Sequence, residues 1–275
     1  MKWLMNKTVL ASIQHRLEAG SRLLLFVNYD DLLGRSGTGE VLPLDAELRE
    51  QLRGLSEVSA LTLTVVSDQS LTALKKLVGF TGIYFIANNG LEIYGPDLNV
   101  VHSEAKRAKQ AVHNLAATLT KKLGNDKKGV VIDDRGLSLA VKLGGAKPPQ
   151  QRQARLAVET IWTPVMEQYT LQEKNNELTL RPRVGWGKGR AVMFLWNKFA
   201  SPRRRPMVIY LGADESEEEI YNYMGREGLG VVVGGETRLA QSKAGYSLKN
   251  RLEVGKFITW LSRNLSHMPS HAASV

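Results

Sequence analysis

Polar residues cluster at four places in this sequence, each next to an apolar run or at the start of a predicted helix. These segments are Asn28-Tyr29-Asp30, Ser67-Asp68-Gln69, Gly187-Lys188-Gly189 and Gly212-Ala213-Asp214-Glu215. Carboxylates, a hydroxyl and a lysine are the groups that phosphoryl transfer requires. One carboxylate attacks phosphorus, a second moves the leaving-group proton, and Mg²⁺ with lysine neutralises the developing charge. The sequence therefore predicts chemistry on a phosphate ester where the fold brings these segments together.

The apolar runs beside these segments are typical of strands buried on both faces of a parallel sheet. Residues 22–29, 60–66, 83–87 and 207–211 form such runs. They alternate with segments of helical periodicity, among them 71–78 and 187–199. This alternation predicts an α/β fold with helices on both faces of the sheet. Such sheets bind ligands at the carboxyl ends of their strands, which is where the polar segments lie.

The pattern changes in the middle of the chain. Residues 103–123 predict a long, lysine-rich helix, and 130–132 and 137–143 predict a hairpin. A helix over about 152–168 and a strand over 177–181 complete the segment. We therefore predict an α+β module inserted into the parallel fold, with core residues 1–102 and 183–275 and an inserted domain at 103–182.

Composition narrows the class of protein and of partner. The formal net charge of +10 favours anionic partners, and there are no cysteines, which excludes disulfides and thiolate chemistry. The basic residues are dispersed and lack the aromatic interleaving of nucleic-acid contacts, so we expect no nucleic-acid partner. No apolar run approaches the ~20 residues of a membrane span, and the N-terminus does not resemble a signal peptide. We expect a cytoplasmic protein without a membrane partner.

The ordered segments resemble the motifs of the haloacid dehalogenase (HAD) superfamily, and in detail those of its trehalose-6-phosphate phosphatase branch. The first family motif, Asp-Tyr-Asp-Gly-Thr-Leu, compares with residues 28–33, and the second, Ser-Gly-Arg, with 67–69. The third compares with 177–191, and the fourth, Gly-Asp-Asp-x-Thr-Asp-Glu, with 212–218. The resemblance covers nearly the whole chain. It implies a HAD-like Rossmannoid core with an inserted cap, Mg²⁺ as cofactor, and a phosphorylated sugar such as trehalose 6-phosphate as ligand.

The same resemblance assigns roles to particular residues. It places Asn28 at the nucleophile position and makes Asp30 the general acid/base. It makes Ser67 and Lys188 the phosphate-binding residues. The implied metal positions are Asn28, Asp30 and Asp214, and the implied sugar-contacting positions are Glu92, Arg135 and Lys142.

Several residues depart from the family pattern. Asn28 replaces the attacking aspartate, and an amide oxygen is a poor nucleophile. Ala213 replaces an acid that binds the metal, and Gln69 replaces an arginine. Asn28 alone would suit an engineered trapping change, but the other departures favour natural divergence. We therefore predict a catalytically impaired or inactive homologue that still binds a phosphorylated sugar.

Two alternatives stay open from the sequence. One is an active Mg²⁺-dependent sugar phosphatase with altered catalytic residues, in which Asp31 serves as a relocated nucleophile. The other is a protein-interaction module, which would make a protein the partner instead of a sugar phosphate. Binding of sugar phosphates by the purified chain distinguishes this interaction module from the inactive sugar-phosphate binder, since a ligand specific to the folded state raises the melting temperature.

Overall fold

The computed structural model describes residues 1–34, 41–124, 128–201, 205–225 and 227–265. These residues divide into two units. The first comprises the described parts of 1–99 and 187–265, and the second comprises the described parts of 100–186. The inserted domain that we predict from sequence, 103–182, stays a prediction as to its boundaries.

The N-terminal part of the first unit alternates strands with helices. Its elements are β1 (Lys2–Trp3), α1 (Lys7–Glu18), β2 (Leu23–Asn28), α2 (Ala46–Ser56), β3 (Leu61–Val66), α3 (Leu71–Val78), β4 (Tyr84–Ala87), β5 (Glu92–Gly95) and β6 (Leu98–Val101). Side-chain caps fix where the helices begin. The Asp45 carboxylate accepts from the Leu48 backbone N–H at the start of α2, and the Ser70 hydroxyl oxygen accepts from Ala73 at the start of α3.

The second unit combines two helices with an antiparallel sheet. Its elements are α4 (Ser103–Leu123), β7 (Val131–Asp134), β8 (Leu139–Lys142), α5 (Pro148–Trp162), β9 (Tyr169–Lys174) and β10 (Glu177–Pro182). The sheet order is β7-β8-β10-β9. The apolar faces of α4 and α5 pack with the inward side chains of the strands in one core, which includes Val112, Leu139, Val158 and Leu178.

The chain then returns to the first unit. The remaining elements are α6 (Lys188–Phe199), β11 (Met207–Gly212), α7 (Glu218–Met224), β12 (Leu229–Val233), α8 (Glu236–Gln241), β13 (Tyr246–Leu248) and α9 (Arg251–Leu265). Short helical turns lie at Tyr29–Leu33, Asn88–Gly90, Thr163–Val165 and Glu215–Glu217. The turn at Tyr29–Leu33 directly follows β2, that at Asn88–Gly90 directly follows β4, and that at Glu215–Glu217 begins shortly after β11. These three turns lie at the carboxyl ends of their strands, where ligands are expected.

Within the described residues, the large sheet has the strand order β1-β13-β12-β11-β2-β3-β4-β5-β6. Strands β11, β2, β3 and β4 pair in parallel, while β4 and β5 pair antiparallel. All residues of β2, β3 and β11 are buried, as expected of central strands in a parallel sheet. The predicted α/β class is therefore confirmed.

Two predicted elements of the second unit have different outcomes. The hairpin is present, because β7 and β8 pair antiparallel from Val131 to Asp134. The helix predicted over about 152–168 is wrong at its end, because it stops at Trp162 and Tyr169–Lys174 is a strand paired with β10. Pro164 lacks a backbone N–H and cannot continue the helical hydrogen bonds. The alternating side chains that follow it complete the sheet instead.

Candidate active site

Sheet register brings the predicted site segments to one edge. Asn28 is the last residue of β2 and pairs with Val66, so Ser67 follows immediately on the neighbouring strand. On the other side of β2, Leu211 pairs with Val27, so Gly212 and the segment after it lie beside Asn28. The carboxyl ends of β3, β2 and β11 thus form one continuous edge.

Lys188 reaches this edge as the first residue of α6. The turn after β4 packs against the start of that helix at Gly90, whose φ is +93°. A Cβ at Gly90 would lie 2.5 Å from the carbonyl carbon of Gly187. Only glycine combines this backbone conformation with such a close approach. Gly90 therefore helps to hold the N-terminus of α6, and Lys188 with it, at the site.

Both ends of the Asn28 amide are hydrogen-bonded to neighbouring residues. Its Nδ2 donates to Glu217 Oε1 at 2.5 Å, and its Oδ1 accepts from the Asp31 backbone N–H at 3.0 Å. Glu217 Oε1 also accepts from the Tyr210 hydroxyl at 2.8 Å. Asn28, Tyr210 and Glu217 are all buried. At the position predicted for the nucleophile, the chain therefore has an amide that is hydrogen-bonded to a carboxylate.

Glu217 is a buried acid in a short capping turn. Its Oε2 accepts from the Asp214 backbone N–H at 3.0 Å, while the Asp214 carboxylate accepts from the Ser216 N–H at 2.7 Å. A Cβ at Gly212 would lie 2.0 Å from Glu217 Oε2, so this glycine leaves room for the carboxylate. Burial raises the pKa of Glu217 to about 7, although Lys188 and the donors from Tyr210 and Asn28 act to lower it.

The Asp30 carboxylate accepts hydrogen bonds from residues just after the end of β3. Its Oδ1 accepts from the Ser67 hydroxyl at 3.0 Å, and its Oδ2 accepts from the Asp68 N–H at 2.8 Å. The Ser67 oxygen in turn accepts from the Gln69 N–H at 3.0 Å. Burial raises the pKa of Asp30 and the Asp68 charge raises it further, although Lys188 opposes both effects. Asp30 is therefore suited to hold a proton.

Lys188 is paired with a carboxylate that we did not single out from the sequence. Its Nζ lies 2.9 Å from Asp68 Oδ1, and its side chain is 3% exposed. Burial acts to lower the pKa of Lys188, but Asp68, Glu217 and Asp30 together raise it, so the ammonium is charged. The buried ammonium is thus already paired with the Asp68 carboxylate, and an incoming phosphate group would have to share or replace that contact.

The predicted Mg²⁺ positions do not form a good ligand set for that ion. Mg²⁺ requires near-octahedral oxygen ligands, usually with carboxylates among them. Asn28 turns its amide nitrogen toward Glu217, and the Asp214 carboxylate caps a helical turn. The side chain of Ala213 has no oxygen that could bind a metal. Among the residues that the structure describes, no group of three or more His, Asp or Glu side chains is arranged to hold a metal. The residues present therefore do not fit the cofactor that the motifs imply.

The three predicted sugar contacts all have partners within their own units. Glu92 Oε2 accepts from the Leu71 N–H at 3.2 Å, at the start of α3, and from Asn88 Nδ2 at 2.6 Å. In the second unit, Arg135 is buried and pairs with Asp133 at 3.1 Å and with Glu177. Lys142 Nζ also lies 3.2 Å from Asp133 Oδ2. Arg135 and Lys142 therefore share one charged network, and their role as sugar contacts stays a prediction.

Three residues of the site escaped the sequence reasoning as functional candidates, namely Asp68, Tyr210 and Glu217. The spacing Asp214-x-x-Glu217 is a capping-box signature and could have shown that Glu217 turns back toward its own cap. Asp68 and Tyr210 gave no such signal, since one follows a strand as many polar residues do and the other lies within an apolar run.

Comparisons with known proteins identify the relatives of this chain. A sequence model of the trehalose-phosphatase family matches residues 26–251. A trehalose-phosphate phosphatase of Mycobacterium bovis (strain BCG / Pasteur 1173P2) is 26% identical over 215 residues, or 76% of this chain and 54% of the relative. This chain thus spans about half the length of that relative.

Solved structures share the fold at low sequence identity. A trehalose-6-phosphate phosphatase related protein aligns with a TM-score of 0.73 and 18% identity over 87% of this chain and 97% of the other. A haloacid dehalogenase-like hydrolase from Bacteroides thetaiotaomicron aligns with a TM-score of 0.59 and 14% identity over 86% and 98%. These matches define a HAD-like α/β protein. Within that class, the chain belongs to the trehalose-phosphatase family, and the predicted family is confirmed.

Across the described ranges, no helix has the length and apolar character needed to cross a bilayer.

Proposed function

We propose that this chain is a non-catalytic member of the trehalose-phosphatase family that recognises a phosphorylated sugar, such as trehalose 6-phosphate, without hydrolysing it. The main support for this proposal is the Asn28 amide, whose nitrogen and oxygen form hydrogen bonds with Glu217 and with the Asp31 backbone. A neutral amide at this position cannot form the aspartyl-phosphate that a carboxylate nucleophile forms. We propose a cytoplasmic location, in keeping with the absence of cysteine.

Loss of the metal site supports the same proposal. Mg²⁺ would neutralise the charge that develops on the transferred phosphoryl group, and the family expectation is that such an ion is bound. Asn28 and Ala213 remove two anionic ligands from this chain. Residual binding of Mg²⁺ is therefore weak, and activity is not restored by adding the ion.

Phosphate release from trehalose 6-phosphate tests the catalytic part of the proposal. We expect the purified chain, with or without Mg²⁺, to release phosphate no faster than its Lys188→Met variant, which measures contaminating activity. Asp31→Asn addresses the alternative in which Asp31 is the nucleophile. Mg²⁺-dependent release that disappears in Asp31→Asn would replace our proposal with that alternative.

Thermal unfolding tests the ligand. A ligand that binds only the folded state raises the melting temperature in proportion to the logarithm of its concentration over Kd. We expect trehalose 6-phosphate to raise it and trehalose to leave it unchanged, because the Lys188 ammonium recognises the phosphate group. The absence of a shift with any sugar phosphate would favour the protein-interaction module over a sugar-phosphate binder.

A further inference from the structure

We infer that the Asp68 carboxylate occupies the place on Lys188 that a ligand phosphate would take, and that Asp68 thereby sets the affinity of the site for phosphate esters. The inference rests on the proposed function, because it concerns the same site. It adds a specificity-determining residue that acts by competition, without any divalent cation.

Access to the Lys188 ammonium group is restricted. Lys188 Nζ lies 2.9 Å from Asp68 Oδ1, which is a direct ion pair. The Lys188 side chain is 3% exposed, whereas the Asp68 side chain is 30% exposed. A phosphate oxygen can therefore reach Nζ only after a neighbouring group moves. Asp68 is a neighbour that contacts both Nζ and solvent, so its displacement opens the path.

The hydroxyl and backbone N–H donors that a phosphate would use already have acceptors within the chain. The Ser67 hydroxyl and the Asp68 N–H both donate to the Asp30 carboxylate. The Gln69 N–H donates to Ser67 Oγ. Together with the ion pair on Lys188, these contacts place carboxylate oxygens where a phosphate would accept hydrogen bonds. Carboxylates of the chain itself therefore occupy the predicted phosphate-binding groups.

The acids near Lys188 also act through their charge. Asp68, Glu217 and Asp30 all act on Lys188 and raise its pKa. A phosphate dianion is repelled by those of these acids that are ionised, above all by the Asp68 carboxylate on Lys188, because like charges at close range oppose each other strongly in a partly buried site. Removing the Asp68 carboxylate both frees the ammonium and removes one of the repelling charges. Binding of phosphate should therefore become tighter.

Calorimetric titration with inorganic phosphate in EDTA-containing buffer tests the inference. We expect Asp68→Ala to lower the Kd for phosphate by about tenfold or more, equivalent to about 1.4 kcal/mol. Asp68→Asn keeps the shape of the side chain and removes its charge, and we expect it to bind phosphate more tightly than the wild type as well. Glu236→Gln is the matched control, since it removes an exposed acid at the start of α8.

A double variant shows whether the gain acts through the ammonium. We expect Asp68→Ala combined with Lys188→Met to lose the added affinity, and circular dichroism shows whether it is folded. If the double variant does not fold, Asp68→Ala combined with Lys188→Arg replaces it. A phosphate affinity that differs from that of Asp68→Ala alone then supports a route through residue 188, and an identical affinity contradicts it. Trehalose 6-phosphate and trehalose, titrated in parallel, distinguish recognition of the phosphate from recognition of the sugar.

The outcomes separate the inference from the proposed function. Equal phosphate affinity of the wild type and Asp68→Ala would overturn the inference, as would a gain that persists without Lys188. Neither result affects the absence of hydrolysis. Turnover of trehalose 6-phosphate by the wild type would instead overturn the proposed function, whatever the affinity of the Asp68 variants.

Discussion

An Asn28→Asp variant would place two buried carboxylates in contact. In the wild type, Asn28 Nδ2 donates to Glu217 Oε1 at 2.5 Å, and both residues are 0% exposed. Aspartate has no hydrogen to donate when it is ionised. The pair can then persist only if it holds one proton, which lets one carboxyl group donate to the other. Restoring the family's aspartate therefore has a stability cost in this chain.

The size of that cost follows from the pKa values. A carboxyl group in the unfolded chain has a pKa of about 4, and keeping a proton on it costs about 1.4 kcal/mol for each pH unit above that value. At about pH 8 the cost reaches roughly 5 kcal/mol, which is comparable to the total stability of many domains. In the wild type, burial raises the pKa of Glu217 from 4.5 to about 7, so Glu217 takes up a proton on folding between these pH values. Well above pH 7 it is ionised in both the folded and the unfolded state.

The pH dependence gives the assay. Above about pH 7.5 the wild-type Glu217 is mostly ionised in both states, so its contribution to stability no longer changes. The variant must still hold its shared proton, and we expect it to lose about 2 kcal/mol more than the wild type between about pH 7.5 and pH 9. Urea unfolding in the presence of EDTA measures both proteins. Asn28→Ala is the control, since it loses the same hydrogen bonds without adding a charge. Parallel stability curves for Asn28→Asp and the wild type over this range would refute the reasoning.

Three further predictions follow from buried contacts. Burial raises the pKa of Glu217 from 4.5 to about 7, so the folded state binds a proton more tightly and the free energy of unfolding falls by about 3 kcal/mol as the pH rises through that window; in Glu217→Gln this fall is absent from urea unfolding curves. Gly90→Ala is expected to lose more stability than Gly82→Ala. Both glycines have positive φ, so backbone strain costs about 1–3 kcal/mol in each variant, but of the two only Gly90 would bring its added Cβ within 4 Å of other backbone atoms. Equal losses in urea unfolding would argue against the close contact. Arg135→Met removes the buried cation that pairs with Asp133 and Glu177, and it should lower the free energy of unfolding by about 3 kcal/mol or more. Arg155→Met removes one partner of a more exposed ion pair and should lower it by about 1 kcal/mol or less. Similar losses in thermal unfolding would contradict this.

Local patterns predicted most of the fold. The apolar runs that became β2, β3 and β11 are recognisable because a central parallel strand is buried on both faces, and α4 follows its apolar periodicity from Ser103 to Leu123. The short strands β5, β6 and β13 were not predicted from the sequence. Each is three or four residues long, and its pairing depends on neighbours elsewhere in the chain.

The sequence by itself determined the class of fold and the family, because residue types and their order suffice for these. That Asn28 stands in place of an attacking carboxylate stays a prediction from the same motifs. Only the tertiary structure decided what surrounds that position. The Asn28 amide meets Glu217 across 189 residues of chain, and Lys188 meets Asp68 across 120 residues. Such contacts depend on the register of β2 against β3 and β11, which places side chains distant in sequence at hydrogen-bonding distance.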